Sequence, residues 1–279
     1  MEPFPSHPPA AAMLNSPPRT RWIEPLLRDA QRMQAVNQSL KGLTAVQKAT
    51  LMAMSSLAQM HDFETGNHIR RTQHYVRILA SKLLKHRRFS VFLTKRNRGL
   101  LFSCAPLHDI GKAGISDRIL RKPGRLTAAE MAVTKTHASL GRDIIAYAEQ
   151  QMGGPLDFFA LAKEIAYSHH EKWNGSGYPQ GLRGDAIPIS ARLMAVADMY
   201  DAIVSRRIYQ LGISHTEAVE IVVEGSGSHF DPDVIDAFLK ARDEFQAVAA
   251  TYSDSDGDIR EEHRYVNRLT AGEPLHSMP

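Results

Sequence analysis

His108-Asp109-Ile110-Gly111-Lys112 places an imidazole beside a carboxylate, and further along the chain His169-His170-Glu171 places two imidazoles side by side. Neighbours on a helix point about 100° apart, so one member of each pair can ligate one ion while the other reaches a second. In the first pair the carboxylate can bridge. Working outward, Glu64 and His68 stand four residues apart and project from one helix face. His137 and Asp198 complete a set of nitrogen and oxygen donors drawn from separate helices. A lone histidine is most often a hydrogen-bonded core residue, but a core gains nothing from this many ionisable groups unless a cation compensates their burial. Imidazole and carboxylate without thiolate favour iron, manganese or zinc chemistry over a structural zinc site. The pattern predicts metal-assisted hydrolysis.

The sequence around these segments predicts an all-α fold. Thr44-Ala45-Val46-Gln47, Thr127-Ala128-Ala129-Glu130 and Ser214-His215-Thr216-Glu217 each have the form of a capping box. They open expected helices over 45–61, 127–149 and 214–224, and further helices are expected over 64–86, 95–109, 155–170, 190–205 and 232–249. No alternating β-branched runs bounded by hairpin turns argue for strands. Residues 171–190 hold Gly175, Gly177, Pro179, Gly181, Gly184 and Pro188. No helix tolerates that density, so a long ordered loop is expected, of the kind that usually carries function.

The ends are of a different character. Residues 1–20 are rich in proline and read as disordered. Over 21–43, Ile23, Leu26, Leu27, Ala30, Met33, Val36 and Leu40 recur at threes and fours, which predicts an amphipathic helix. That helix is a homodimer seam, a link to a sensor, or an element folded back on its own domain. The main domain is expected over 44–252, and 253–279 reads as a polar, solvated tail.

Bulk properties narrow the function. The 279 residues suffice for one sizeable core. No run of about eighteen apolar residues predicts a membrane span, and Met1 to Arg19 lacks the basic start and apolar run of a secretory signal. The single cysteine, Cys104, excludes an internal disulfide and suits the cytoplasm. A net charge of +4 fits an anionic ligand and, without a clustered basic stripe, gives no case for a nucleic-acid polymer.

The first segment, together with His169-His170-Glu171-Lys172-Trp173-Asn174-Gly175-Ser176-Gly177-Tyr178-Pro179, resembles the HD-GYP family of bacterial cyclic di-GMP phosphodiesterases, a branch of the HD metal-dependent phosphohydrolases. The likeness runs from about Val46 to about Tyr252. It includes Lys122-Pro123-Gly124, His137 with Gly141, Ala197-Asp198-Met199-Tyr200-Asp201-Ala202 and Phe230-Asp231-Pro232. It implies an HD-domain helical bundle in which His68, His108, Asp109, His137, His169, His170 and Asp198 ligate metal, with Asp109 as the bridge. It also implies that Glu64 marks the trinuclear branch. Two or three divalent ions, iron or manganese, are therefore expected, with three favoured.

The implied reaction is hydrolysis of cyclic di-GMP to pGpG, and on to GMP, by a hydroxide bridging the metals, with Asp109 and Lys112 as catalytic residues. Lys112 is expected to steady the phosphate or protonate the leaving oxygen; the blander reading pairs it with an acid. Arg207, Gln210, Tyr178 and Gly177 are expected on the substrate side. Asp201, and Glu171 beside His170, are expected to orient ligands from behind. Gln210 stands where the family carries lysine and Asn174 where aspartate is usual, which bears on affinity and substrate preference rather than on metals. The Gly177-Tyr178-Pro179 loop is a candidate surface for a diguanylate cyclase domain. The alternatives are a hydrolase of another cyclic or linear dinucleotide, and a weakly catalytic nucleotide-sensing module acting through that loop.

Overall fold

The computed structural model describes residues 52–56, 66–122, 124–153, 155–205 and 213–254, and all of them belong to one contact unit that begins at Ala49. Among the described residues the chain is helical, and its one β feature is an isolated bridge between Ser226 and Phe230. The helices are α1 (Gly66–Lys82), α2 (Lys95–Cys104), α3 (Asp117–Leu120), α4 (Ala128–Lys135), α5 (His137–Gln151), α6 (Asp157–Ser168), α7 (Ile189–Val204), α8 (His215–Glu224), α9 (Pro232–Leu239) and α10 (Arg242–Thr251). The expected disordered segment 1–20, the amphipathic helix 21–43, most of the helix 45–61 and the tail beyond Asp254 lie outside the described residues.

Two helix pairs carry the chemistry. α5 packs along α6, and α1 packs along α7. Between them runs the segment after α2, where Pro106 offers no N–H to an α-helical ladder. The expected continuous helix over 95–109 therefore ends at Cys104, tightens to a 3-10 turn over Ala105–Leu107, and resumes as a second 3-10 turn over Ile110–Gly114. His108 and Asp109 consequently sit on a turn between two 3-10 segments, not on an α-helix as the spacing argument assumed. α7 is buried from Ser190 through Ala197 and again at Tyr200 and Asp201, as befits a helix that is apolar almost all round.

Two other expected helices also break. The reading over 127–149 splits at Thr136, whose backbone N–H and hydroxyl both turn back onto the Val133 carbonyl, at 3.0 and 2.6 Å. The reading over 232–249 splits at Ala241, which leaves helical geometry with φ −114° and ψ 1°. That turn brings Phe245 back against Phe238, with ring centroids 5.0 Å apart. Phe245 also stacks on Tyr75 at 4.3 Å, and Tyr75 meets Tyr200 edge-on at 5.3 Å. All four rings are fully buried. At about 1.5–3 kcal/mol of burial each, they tie α1, α7, α9 and α10 into one core. The capping boxes at Thr127 and Ser214 form as their sequences predict.

One contact sets the distance between the turn after Asp109 and α5. A Cβ on Gly111 would lie 2.0 Å from the His137 carbonyl oxygen and 2.5 Å from the Gly141 backbone nitrogen. Only glycine lets the turn after Asp109 lie backbone to backbone against the start of α5. Gly111→Ala is accordingly expected to cost about 3 kcal/mol or more, at the upper end of overpacking, measured as the midpoint of urea unfolding. A midpoint within error of the parent protein would contradict this packing.

Candidate metal centre

The ligand atoms of Asp109, His137, His169 and His170 all lie within 4.8 Å of one another, and those of His68, His108 and Asp198 form a second such group. Asp109 faces both. Its Oδ1 lies 3.2 Å from His137 Nε2 and 3.4 Å from His169 Nε2, while its Oδ2 lies 3.3 Å from His108 Nε2. In the second group, His68 Nε2 lies 3.3 Å from His108 Nε2, and the two rings lie 3.8 and 3.9 Å from Asp198 Oδ1.

Helix ends hold these imidazoles. His108 Nδ1 donates to the Ala105 carbonyl at 2.9 Å, His137 Nδ1 to the Thr134 carbonyl at 2.7 Å, and His169 Nδ1 to the Ile165 carbonyl at 2.9 Å. In each case the acceptor sits in the closing turn of a helix, where carbonyls have lone pairs to spare. A carbonyl only accepts, so each Nδ1 carries the proton and each Nε2 points a lone pair at the centre. His68 follows the same rule with a carboxylate, Nδ1 lying 2.8 Å from Asp201 Oδ2. The break at Thr136 is part of this arrangement, because it turns His137 back over the end of α4.

The consequence is a cluster of acceptors without donors. Asp109 Oδ1, His137 Nε2 and His169 Nε2 are buried and make no hydrogen bond. Buried polar atoms are nearly always satisfied, and three orphans converging on one point are what a bound cation would satisfy. In the second group, two lone pairs face each other at 3.3 Å beside a carboxylate. The donor set, nitrogen and oxygen without sulfur, fits a hard or borderline divalent ion. The residues present fit metal.

The electrostatics agree. Burial alone would push the Asp109 carboxyl up, but the Lys112 ammonium, 2.5 Å from Oδ2, outweighs it and holds the group well below the usual carboxylate range. Burial pushes His169 down, and burial with His169 as neighbour pushes His170 well down. Both rings are therefore neutral near pH 7, the form that ligates metal. Lys112, expected on the substrate, lies on Asp109, the acid-pairing alternative; three residues apart on a 3-10 turn, the two side chains stack on one face.

The loop after His170 wraps the site. Tyr178 stacks on His170, with ring centroids 4.8 Å apart, and Lys135 lies over the tyrosine ring. Gly177, expected on the substrate side, has its own backbone reason to be glycine. A Cβ there would lie 2.3 Å from the Lys172 nitrogen and 2.5 Å from Glu171 Cα, so it permits a close backbone crossing. Glu171 differs from its expected orienting role. Its buried carboxylate accepts from the backbone N–H of Gln180 at 2.7 Å and of Leu182 at 3.0 Å, which clamps the loop. Asn174 accepts from the Ser176 N–H and hydroxyl. An aspartate would serve there equally, so this departure from the family pattern leaves the centre untouched.

Trp173 carries the guanidinium groups of Arg88 and Arg192 over its ring, at 5.3 and 5.7 Å from its centroid. Those two cations share the buried Asp231. Glu64, Arg207 and Gln210 lie outside the described residues. Arg71, which holds both oxygens of Asp201, went unnoticed in the sequence; its signal was an arginine three residues after His68, matching the spacing of Asp198 and Asp201.

Comparison with known proteins agrees with this geometry. Residues 52–234 match the family model described as HD domain. The chain belongs to the HD-domain family, in its HD-GYP branch. It is similar to a cyclic di-GMP phosphodiesterase of Vibrio cholerae, 48% identical over 78% of this chain and 46% of the relative. It is also similar to a cyclic di-GMP phosphodiesterase of Thermotoga maritima, 40% identical over 74% of this chain and 52% of the relative. The 3'3'-cGAMP-specific phosphodiesterase 2 of Vibrio cholerae is 34% identical over 76% of this chain and 38% of the relative. The chain thus spans about half the length of the relatives it matches, or less. No helix among the described residues is long and apolar enough to cross a membrane.

Glu171→Gln replaces a charged acceptor of two backbone N–H groups and is expected to cost about 1–3 kcal/mol. The loss should appear as faster proteolytic cleavage within residues 174–186; an unchanged cleavage rate would count against the clamp.

Proposed function

We propose that the chain is a metal-dependent phosphodiesterase that hydrolyses cyclic di-GMP to linear pGpG. The carrying observation is the buried, hydrogen-bond-free convergence of Asp109 Oδ1, His137 Nε2 and His169 Nε2 beside the set His68, His108 and Asp198, with one carboxylate facing both. Asp109, His137, His169 and His170 would hold one divalent ion, and His68, His108, Asp198 and the second oxygen of Asp109 another. A third ion would need the Glu64 carboxylate, as the trinuclear branch implies. Iron or manganese suits this donor set. Ions so held would supply Lewis acidity and an activated water for attack at phosphorus.

The protein's own groups do the rest. Asp109 stays ionised through Lys112 and keeps the two donor sets in register. The helix-end carbonyls fix each imidazole in the tautomer that offers Nε2. Lys112 places positive charge at the centre, where charge grows on the phosphoryl oxygens. Tyr178, half-buried between His170 and the Lys135 ammonium, would stand at the substrate side of the centre. Arg207 and Gln210 would complete the substrate side, with one cation fewer than the family pattern. Water adds to phosphorus, the bond to the 3'-oxygen breaks, and that oxygen takes a proton, leaving a linear 5'-phosphate. A diguanylate cyclase domain docking on the loop would meet the exposed Asn174, Ser176, Pro179 and Gln180, and a homodimer would form through 22–42.

Asp109→Ala is expected to abolish metal loading and turnover together, read by elemental analysis beside a cyclic di-GMP hydrolysis assay on anaerobically reconstituted protein. A metal-replete, active variant would sink the scheme. On a panel of dinucleotides, cyclic di-GMP should be turned over at least tenfold faster than 3'3'-cGAMP or pGpG. Faster turnover of 3'3'-cGAMP would move the substrate to that of the more distant relative, and faster turnover of pGpG to the linear product.

A further inference from the structure

Behind His68, on the side away from the metal-ligand atoms, lies a guanidinium that serves two carboxylates. Arg71 is buried, three residues beyond His68 on α1. Its Nε and Nη2 take both oxygens of Asp201, at 2.6 and 3.0 Å. Its Nη1 donates to the Tyr252 carbonyl at 2.8 Å and to Asp254 Oδ2 at 3.1 Å. Asp201 Oδ2 in turn holds His68 Nδ1.

The segment Tyr252–Asp254 is also held on either side of Arg71. Asn67 donates to the Ser253 carbonyl at 3.3 Å and to Asp254 Oδ1 at 3.2 Å. His74 stacks on Tyr252 with ring centroids 5.1 Å apart, and its Nε2 lies 3.1 Å from the tyrosine hydroxyl. Three successive turns of α1 thus bind one short strap that follows the last described helix. The expectation of a solvated tail from 253 onward fails at Asp254, whose side chain is 7% exposed and paired.

The charges explain why the strap is needed. Arg71 and Asp201 alone would neutralise each other, and the fork would draw electron density away from His68. A second carboxylate on the same guanidinium leaves one net negative charge behind the ring. That charge raises the basicity of Nε2 and complements a cation in front of it, as outer carboxylates do for metal-bound histidines. The bidentate fork also fixes the carboxylate plane, which a lysine cannot do.

We infer that Arg71, together with the strap Tyr252–Asp254, is a positioning device for His68. It sets the orientation and basicity of one ligand in the set His68, His108 and Asp198, and leaves the set Asp109, His137, His169 and His170 alone. The inference rests on the metal-centre reading above.

Calorimetric titration of the full-length protein with Mn(II) tests it, with Asp198→Asn identifying the class of site that His68 belongs to. Arg71→Lys should weaken that class about tenfold or more and leave the other within about twofold; Asp254→Asn should weaken the same class by a smaller factor. Near-UV circular dichroism verifies folding, and if Arg71→Lys does not fold, Asp254→Asn decides. Equal weakening of both classes, or of neither, overturns the inference while the metal centre stands. A parent protein that binds no Mn(II) overturns the metal centre and the inference with it.

Discussion

Burying an ionised carboxylate costs several kcal/mol unless cations and donors surround it, and Asp109 is 4% exposed with its proton held off. Lys112 meets part of that requirement from the same turn. Around it stand imidazoles from three separate parts of the fold, each presenting a nitrogen that accepts rather than donates, and none of these meets the remainder. The arrangement is electrostatically incomplete as a piece of core, since acceptors face an anion. It becomes complete when positive charge sits among them. The geometry of α5, α6 and the HD turn follows from satisfying that one group.

Histidines serve here because helices end where they stand. At a closing turn the Nδ1 of a histidine reaches a carbonyl three or four residues back and takes its second lone pair beside a backbone N–H. His108, His137 and His169 all use this device, so the orientation of the far nitrogen is set by backbone rather than by a chain of side chains. The partial negative charge at helix C-termini adds to the attraction for a cation. His68, which lies near the start of α1, has no such carbonyl and depends on Asp201 instead. That difference explains why its surroundings are so much more elaborate.

Much of this was legible in the residues. Adjacent donors at 108–109 and 169–170, the capping boxes at Thr127 and Ser214, and the glycine and proline density of 171–190 all pointed where the structure leads. Periodicity hid the breaks at Thr136 and Ala241, because apolar spacing continues through a turn that merely redirects the axis. It also hid the work of Glu171 and Gly177. A carboxylate beside two histidines reads as a ligand or its support, and only the folded loop reveals that it answers backbone N–H groups. Asp254 was lost for a related reason. In an acidic run nothing local separates the residue that meets a buried arginine from those facing water.

The two donor sets differ in how far the chain must travel to build them. Asp109, His137, His169 and His170 follow one another along the stretch from the turn after α2 to the end of α6, and their separations are the shorter ones. His68 meets Asp201 across 133 residues. Loop closure of that length is slow relative to local packing, so the order of assembly is built into the topology. The first set can take shape as its helix pair forms, whereas the second waits for α1 to dock on α7. Because Asp109 contributes an oxygen to each, the early half presents a finished edge on which the late half registers.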